Sequence, residues 1–413
     1  MPLPQRSLLL LTLAAAVATA PTTLIHRIDH QFRAPGDPLG VFDSKFNDPE
    51  ALKSFGYNGQ AGRYVEAALT FDALPGGPFF PHGSEERAWM DGYADAVRAE
   101  MNATAAAGLT VYNHMDFPIL PKKVVEALAP KICLNGTARP CIATWGMPLL
   151  EVLEVMMTEL FTSFPLLDGI IVRTGEHYVV DLPYHCAIGL RQARSDRFVG
   201  GGSGGSMSDA ILNWFRDSVA EKRGKTVVWR TWDVHPDEAH SNPAIYIKLT
   251  ENIAPHPRLF FSMKRQGWDY WRYVAFNPTI GIGKHQQIVE ASCQRSYEGK
   301  GTWPSYIARG VIEGFPEQAE NVNYTGGVKG LRDLVGNANV AGLWTWSRGD
   351  GNYGPYTKAG ELWQTVNCRV LAAWANDTSR TEEELFLETV CELQYKFQLL
   401  LEFSNEEITE NCP

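Results

Sequence analysis

Short apolar runs rich in branched and aromatic side chains recur along the chain, and most are followed by an amphipathic helical pattern. They fall at residues 24–28, 67–71, 109–113, 169–173, 226–229, 259–263, 287–291 and 342–346. Parallel strands covered on both faces read as continuous apolar segments, so eight such runs predict an α/β fold, a (β/α)8 TIM barrel. The helical stretches between them fit. Ser84 is placed to cap a helix carrying Trp89, Tyr93 and Val97 on one face, and Pro148 sits in the first turn ahead of Leu149, Leu153, Met156 and Leu160. Ser206 or Ser208 opens a third, with Ile211, Leu212, Phe215 and Val219 facing inward.

Beyond Trp363 the pattern changes. Thr381 to Glu384 reads as a capping box, and Phe386, Val390, Leu393, Phe397 and Leu400 follow at helical spacing. The expected organisation is therefore a signal peptide at 1–18, a catalytic barrel at 21–366 and a short C-terminal helical extension at 367–413. The glycine-serine run at 200–206 reads as a mobile loop after the fourth strand, since no lysine follows at the spacing of a phosphate cradle.

Charge and cysteines narrow the setting. With 37 basic and 47 acidic side chains the net charge is −10, and no basic cluster is present to track a phosphate backbone, so neither nucleic acid nor an anionic membrane is an expected partner. Arg6, an apolar run at 8–18 and small residues after it read as an export signal too short to span a bilayer, which predicts a secreted protein. Sequons at Asn102, Asn135, Asn323 and Asn376 agree with that route. None of the seven cysteines sits in a CxxC pair, so disulfides are expected rather than zinc. Cys133 and Cys141 enclose a short loop and form the expected bridge. Cys368, Cys391 and Cys412 offer a second, and Cys186 and Cys293 either pair or leave a thiol. His26 and His30 are four apart but have no third ligand at useful spacing, so no metal or other cofactor is expected.

Catalytic groups of such barrels lie at the C-terminal strand ends. Carboxylates there are Asp72, Asp116, Glu176, Asp233, Asp269, Glu290, Glu298 and Asp350, among Trp145, Trp229, Trp232, Trp268, Trp271, Tyr297, Trp344 and Trp346. Aromatic platforms beside paired carboxylates are what sugar binding and glycosidic cleavage need. For any one of these carboxylates the alternative is a helix cap or an ion pair. Glu290, inside an apolar run, is equally suited to a buried hydrogen-bonding role.

In order along the chain, Gly108 to Asn113, Gly169 to Glu176, Val228-Trp229-Arg230, Met263-Lys264 with Trp268-Asp269-Tyr270, Glu290 to Gly299, and Gly349 to Tyr353 resemble motifs of the glycoside hydrolase family 67 α-glucuronidases. The resemblance covers about half the chain. It implies an inverting hydrolase of uronic-acid-bearing polysaccharide fragments, with Glu176 as general acid, Asp269 as base, and Arg230 and Lys264 gripping the substrate carboxylate. Arg173, Trp232, Trp268, Tyr297, Trp346 and Asp350 complete the expected substrate-binding set. The family's second catalytic glutamate falls on Ser296, which cannot act as a carboxylate base. Three outcomes follow: Asp269 works alone, Glu298 or Glu290 substitutes, or the barrel binds carbohydrate without cleaving it. A retaining enzyme using Glu176 and Glu290 is a further alternative, and pairing with protein carboxylates is the alternative role for Arg230 and Lys264.

Overall fold

The computed structural model describes residues 23–27, 44–134, 136–138, 141–143, 146–174, 179, 182–190, 207–232, 239–295, 303–321, 323–346 and 361–401. Among them, eight parallel strands close into a barrel: β1 (Thr23–Arg27), β2 (Gly59–Arg63), β3 (Thr110–Asp116), β4 (Gly169–Arg173), β5 (Thr226–Arg230), β6 (Leu259–Lys264), β7 (Gln286–Ser292) and β8 (Val340–Trp346). Each pairs with the next in sequence, and β8 returns to β1. The helices are α1 (Pro49–Ser54), α2 (Glu85–Ala106), α3 (Lys122–Ile132), α4 (Met147–Ser163), α5 (Met207–Trp214), α6 (Pro243–Thr250), α7 (Ala308–Glu313), α8 (Leu362–Asn376) and α9 (Glu382–Leu401). The barrel is filled by Ile25, Ala61, Tyr112, Ile171, Val228, Ile288 and Trp344, while the outward faces of the strands join the helices in a second, larger core.

One strand differs from expectation. Residues 67–71 are not the second strand. They begin within a 3-10 turn at Val65–Ala68 and bury Ala67, Ala68, Leu69 and Phe71 beneath the helices. The strand is instead Gly59–Arg63, with the sequence GQAGR. Its glycine is imposed by its neighbours: a Cβ on Gly59 would stand 2.7 Å from Thr110 Oγ1 and 3.2 Å from the Tyr112 ring that fills the barrel. Space in the barrel, not apolar content, selects this sequence. The other strands match, and β5, β6 and β7 run on to include Arg230, Lys264 and Ser292, so the charged positions are held by the ladder itself.

The helix signals hold. Ser84 Oγ accepts from Arg87 N at 3.2 Å, Pro148 lies in the first turn of α4, and the apolar positions expected on α4 are buried. Helix α5 continues as a π-helical turn at Phe215–Glu221, burying Ile211, Leu212, Phe215 and Val219. Thr381 and Glu384 exchange side-chain-to-backbone bonds of 3.1 and 3.2 Å, completing the capping box of α9. The division expected after residue 366 falls inside α8, which buries Val366, Cys368, Val370, Leu371 and Trp374 against the barrel. No described helix is long and apolar enough to cross a membrane.

Cys133 and Cys141 are bridged, and Cys391 is also disulfide-bonded. Cys186, Cys293 and Cys368 are thiols, so Cys186 does not bridge to Cys293 and Cys368 is not part of a tail bridge. Asn102 and Asn323 are exposed. Asn376 is exposed too, but its Nδ2 donates to the carbonyls of Gly56 and Ala372 at 3.0 and 2.9 Å, bonds that a glycan would disturb. Asn135, His30, Cys412 and the run at 200–206 lie outside the described residues.

At Gly169 a Cβ would stand 2.6 Å from the Thr226 carbonyl oxygen, a backbone atom of the ladder, so the barrel leaves no room for a side chain there. Gly169→Ala is expected to cost about 1–3 kcal/mol, measured by urea unfolding. Gly92→Ala, on exposed α2 where a Cβ meets nothing, is the control and should gain about 0.5–1 kcal/mol.

Candidate active site at the barrel mouth

Side chains alternate across a strand, so the residue two beyond an interior core position faces inward one layer higher. Arg173 stands two beyond Ile171, Arg230 two beyond Val228, Glu290 two beyond Ile288 and Trp346 two beyond Trp344. Lys264 stands two beyond Ser262, whose Oγ accepts from the interior Trp344 Nε1 at 2.7 Å. Asp116 lies two turns of this alternation above Tyr112, over the His114 ring that packs 5.6 Å from Trp344. The sequence thus puts a charged layer directly on the apolar barrel core.

These charges are paired. Arg230 meets Glu290 through Nε and Nη2 at 2.5 and 2.6 Å, and Arg173 meets Asp116 through Nε and Nη2 at 2.6 and 2.7 Å. All four residues are buried. Two tyrosines complete the pairs: Tyr64 Oη donates to Asp116 at 2.8 Å, and Tyr270 Oη to Glu290 at 3.0 Å. Lys264 Nζ donates to Asp269 at 2.7 Å and lies 3.4 Å from the centre of the Trp232 ring. Trp268 packs edge-on against Trp232 at 6.1 Å. Asp269 and Trp268 are open, with 21% and 38% of their surface exposed.

Burial opposes ionisation of Glu290, but the charge and hydrogen bonds of Arg230, with Lys264 and Tyr270, outweigh it and hold its carboxyl below the usual range. Burial, reinforced by the charge of Glu290, pushes the Tyr270 hydroxyl well above its ordinary range, so it stays a donor. Burial also lowers the Lys264 ammonium, against the opposing pull of Asp269. His240, behind Trp232, is pushed down to about 3 by burial and by Lys264. It is therefore neutral, between Thr231 Oγ1 at 3.2 Å and the Gln266 carbonyl at 3.1 Å.

Of the residues singled out from sequence, the fold brings together Asp116, Arg173, Arg230, Trp232, Lys264, Trp268, Asp269, Glu290 and Trp346. Asp72 is elsewhere, paired with Arg87 at 3.0 Å. Trp229 faces outward onto Phe215, and Trp344 fills the barrel. Arg230 and Lys264 are engaged by protein carboxylates, the alternative role weighed for both. Trp145, Glu176, Asp233, Ser296, Tyr297, Glu298 and Asp350 lie outside the described residues. Tyr64 is silent in sequence because it follows a strand without an apolar signature, and its left-handed backbone, φ 57°, gives no sequence signal outside glycine. His114, one position beyond the third apolar run, carries no sequence signal either.

No protein-family model and no curated protein matches the chain. Solved structures similar to it include a glycoside hydrolase family 138 enzyme targeting pectin rhamnogalacturonan II, at 12% identity over 91% of this chain and 42% of that one, with a TM-score of 0.50. CpGH84B is 8% identical over 94% and 54%, at 0.46, and a β-N-acetylhexosaminidase is 13% identical over 95% and 79%, at 0.44. The chain spans less than half of the first of these and about half of the second. At such identities the likeness establishes the fold.

Two predictions follow from the charges. Glu290→Gln should strand a buried guanidinium and cost roughly 3–5 kcal/mol in urea unfolding, whereas Arg230→Met with Glu290→Leu should recover most of that loss. His185 is buried, its ring nitrogens have no hydrogen-bond partner among the described residues, and burial and then Lys122 push it down to about 4. The unfolded chain protonates His185 and His240 near pH 6.5, while the folded chain resists until about 4 and about 3. Stability should therefore fall as pH drops from 6.5 to 4, by about 1.4 kcal/mol per pH unit for each histidine. His185→Phe should shed its share of that slope.

Proposed function

We propose that the protein is a secreted glycoside hydrolase of the α-glucuronidase type, cleaving uronic-acid-bearing polysaccharide fragments with inversion. One observation carries this reading: at the open edge of an otherwise buried charged layer, Lys264 pairs with Asp269 and lies on the Trp232 ring, which Trp268 meets edge-on. A cation for the uronate carboxylate, a partly exposed carboxylate and an aromatic wall for the sugar face are the parts the reaction requires. The similar barrel of a pectin-targeting hydrolase and the disulfides support a carbohydrate substrate and an oxidising compartment.

In this reaction Asp269 takes a proton from the water attacking the anomeric carbon, and Glu176 gives a proton to the departing glycosidic oxygen. Arg230 does not grip the substrate. It holds Glu290 in place, which supports Lys264 from behind. The retaining alternative is disfavoured because both Glu290 oxygens already accept from Arg230. A non-cleaving carbohydrate-binding barrel is the second reading, favoured by Ser296 where the family 67 resemblance calls for a glutamate.

The test is NMR of purified protein with glucuronic-acid-decorated oligosaccharides. We expect release of glucuronic acid, first in the inverted configuration, with a loss of about 10²–10⁴-fold in Asp269→Asn and in Glu176→Gln. Chemical-shift changes on the oligosaccharide without any release, across a panel of uronides, would sink the hydrolase reading and leave the binding one.

A further inference from the structure

Arg173, Arg230 and Lys264 each face a carboxylate. The next cation, Arg265, does not. It follows directly on the last residue of β6. It is 1% exposed, and its Cζ lies 4.9 Å from the centre of the Phe315 ring. Among the described residues its guanidinium forms no ion pair, and its Nε has no hydrogen-bond partner. The neighbouring phenol, Tyr270, remains a neutral donor and supplies no negative charge. Arg272 shares the same Phe315 ring at 5.3 Å but is paired with Glu317 at 2.6 Å.

A guanidinium does not escape burial by releasing its proton at neutral pH, and a ring face compensates only part of its lost hydration. A counter-charge is therefore required. Space is close by: a cavity of about 170 Å³ is lined by Phe276, Phe315, Gln318, Thr325 and Lys329 among others. Arg265 does not line this cavity, but two of the residues that do adjoin it: Phe315 lies against the guanidinium and Phe276 bridges to Gln266. At about 30 Å³ per water the cavity holds a few water-sized groups, too little for a sugar residue with its hydration. Lys329 adds positive charge, while Glu313 is engaged by Arg332 at 2.7 Å.

We propose that Arg265 binds a small monovalent anion, a halide or a formate-sized carboxylate, beside this cavity and behind the barrel mouth. The site is independent of the sugar reading. Water could fill the same space, but it would leave the charge uncompensated.

The full chain tests this in two ways. Crystals soaked in sodium bromide should show an anomalous peak within hydrogen-bonding distance of the Arg265 guanidinium. Thermal unfolding at constant ionic strength should show a saturable rise in midpoint when a bulky sulfonate is exchanged for chloride or formate, and no rise in Arg265→Met. A rise with formate but not with chloride assigns the site to carboxylates. No peak at Arg265 together with equal midpoints in all three anions overturns the proposal, as does a peak that persists in Arg265→Met, which marks an adventitious ion only. Should Arg265→Met fail to fold, the wild-type bromide map and anion series decide alone.

Discussion

The Arg230 to Glu290 pair is the constraint on which the mouth of this barrel depends. Its partners sit on β5 and β7, which are not neighbours, so the pair reaches over β6 and fixes what β6 can present. Removing two ions from water is costly, and the attraction between them offsets that cost only when the geometry is two-pronged and the remaining acceptor sites are filled. Both conditions are met, because Tyr270 donates to the same carboxylate and Trp346 Nε1 lies 3.3 Å from the Tyr270 oxygen. Such a pair adds little net stability compared with apolar residues of equal volume. What it does fix is the protonation of its surroundings: Glu290 ionised, Tyr270 protonated, and Lys264 held between a buried cation and two carboxylates.

The pair is one part of an arc in which three cations stand between two carboxylates. Asp116, Arg173 and Arg230 are ladder neighbours on β3, β4 and β5, and Lys264 is the ladder neighbour of Glu290. Two arginines in register would repel if left alone. Each is instead neutralised from its far side, Arg173 by Asp116 and Arg230 by Glu290. Tyr64 closes the first end in a left-handed conformation that costs a non-glycine residue roughly 1 kcal/mol or more, a strain tolerated because its hydroxyl reaches Asp116. Lys264 and Asp269 form the other end, where the arc opens to solvent.

Much of this fold is legible in sequence because burial on both faces makes a barrel strand a solid apolar run. That logic fails at β2. There the interior is occupied by Tyr112 from the next strand, so the residues opposite must be small, and GQAGR carries no apolar signature. The apolar run that follows lies against helices, which is equally hydrophobic and equally silent about backbone conformation. The site is legible in part for a related reason. Arg230, Lys264 and Glu290 announce themselves as charges interrupting apolar runs, yet a separation of 60 residues between Arg230 and Glu290 hides that they neutralise each other. Lys264 and Asp269 are close enough in sequence for their association to be guessed. Tyr64 and His114 are ordinary residue types in ordinary surroundings, and only the closed barrel brings them to the centre.

In the proposed reaction the open end of the arc is where an acidic sugar would free the carboxylate of Asp269 from its partner. An ammonium has three donors. At Lys264 one is spent on Asp269, and the face toward Trp232 is covered at 3.4 Å, where a second anion could not approach. In the proposed reaction a uronate carboxylate must therefore arrive on the side that Asp269 occupies and share the same cation. Sharing loosens the hold of Lys264 on Asp269, which leaves that carboxylate free to turn toward an attacking water. A neutral sugar brings no competing charge, so Asp269 stays turned toward Lys264. Discrimination for an acidic substrate would then arise in catalysis as well as in binding, from one lysine placed between two carboxylates.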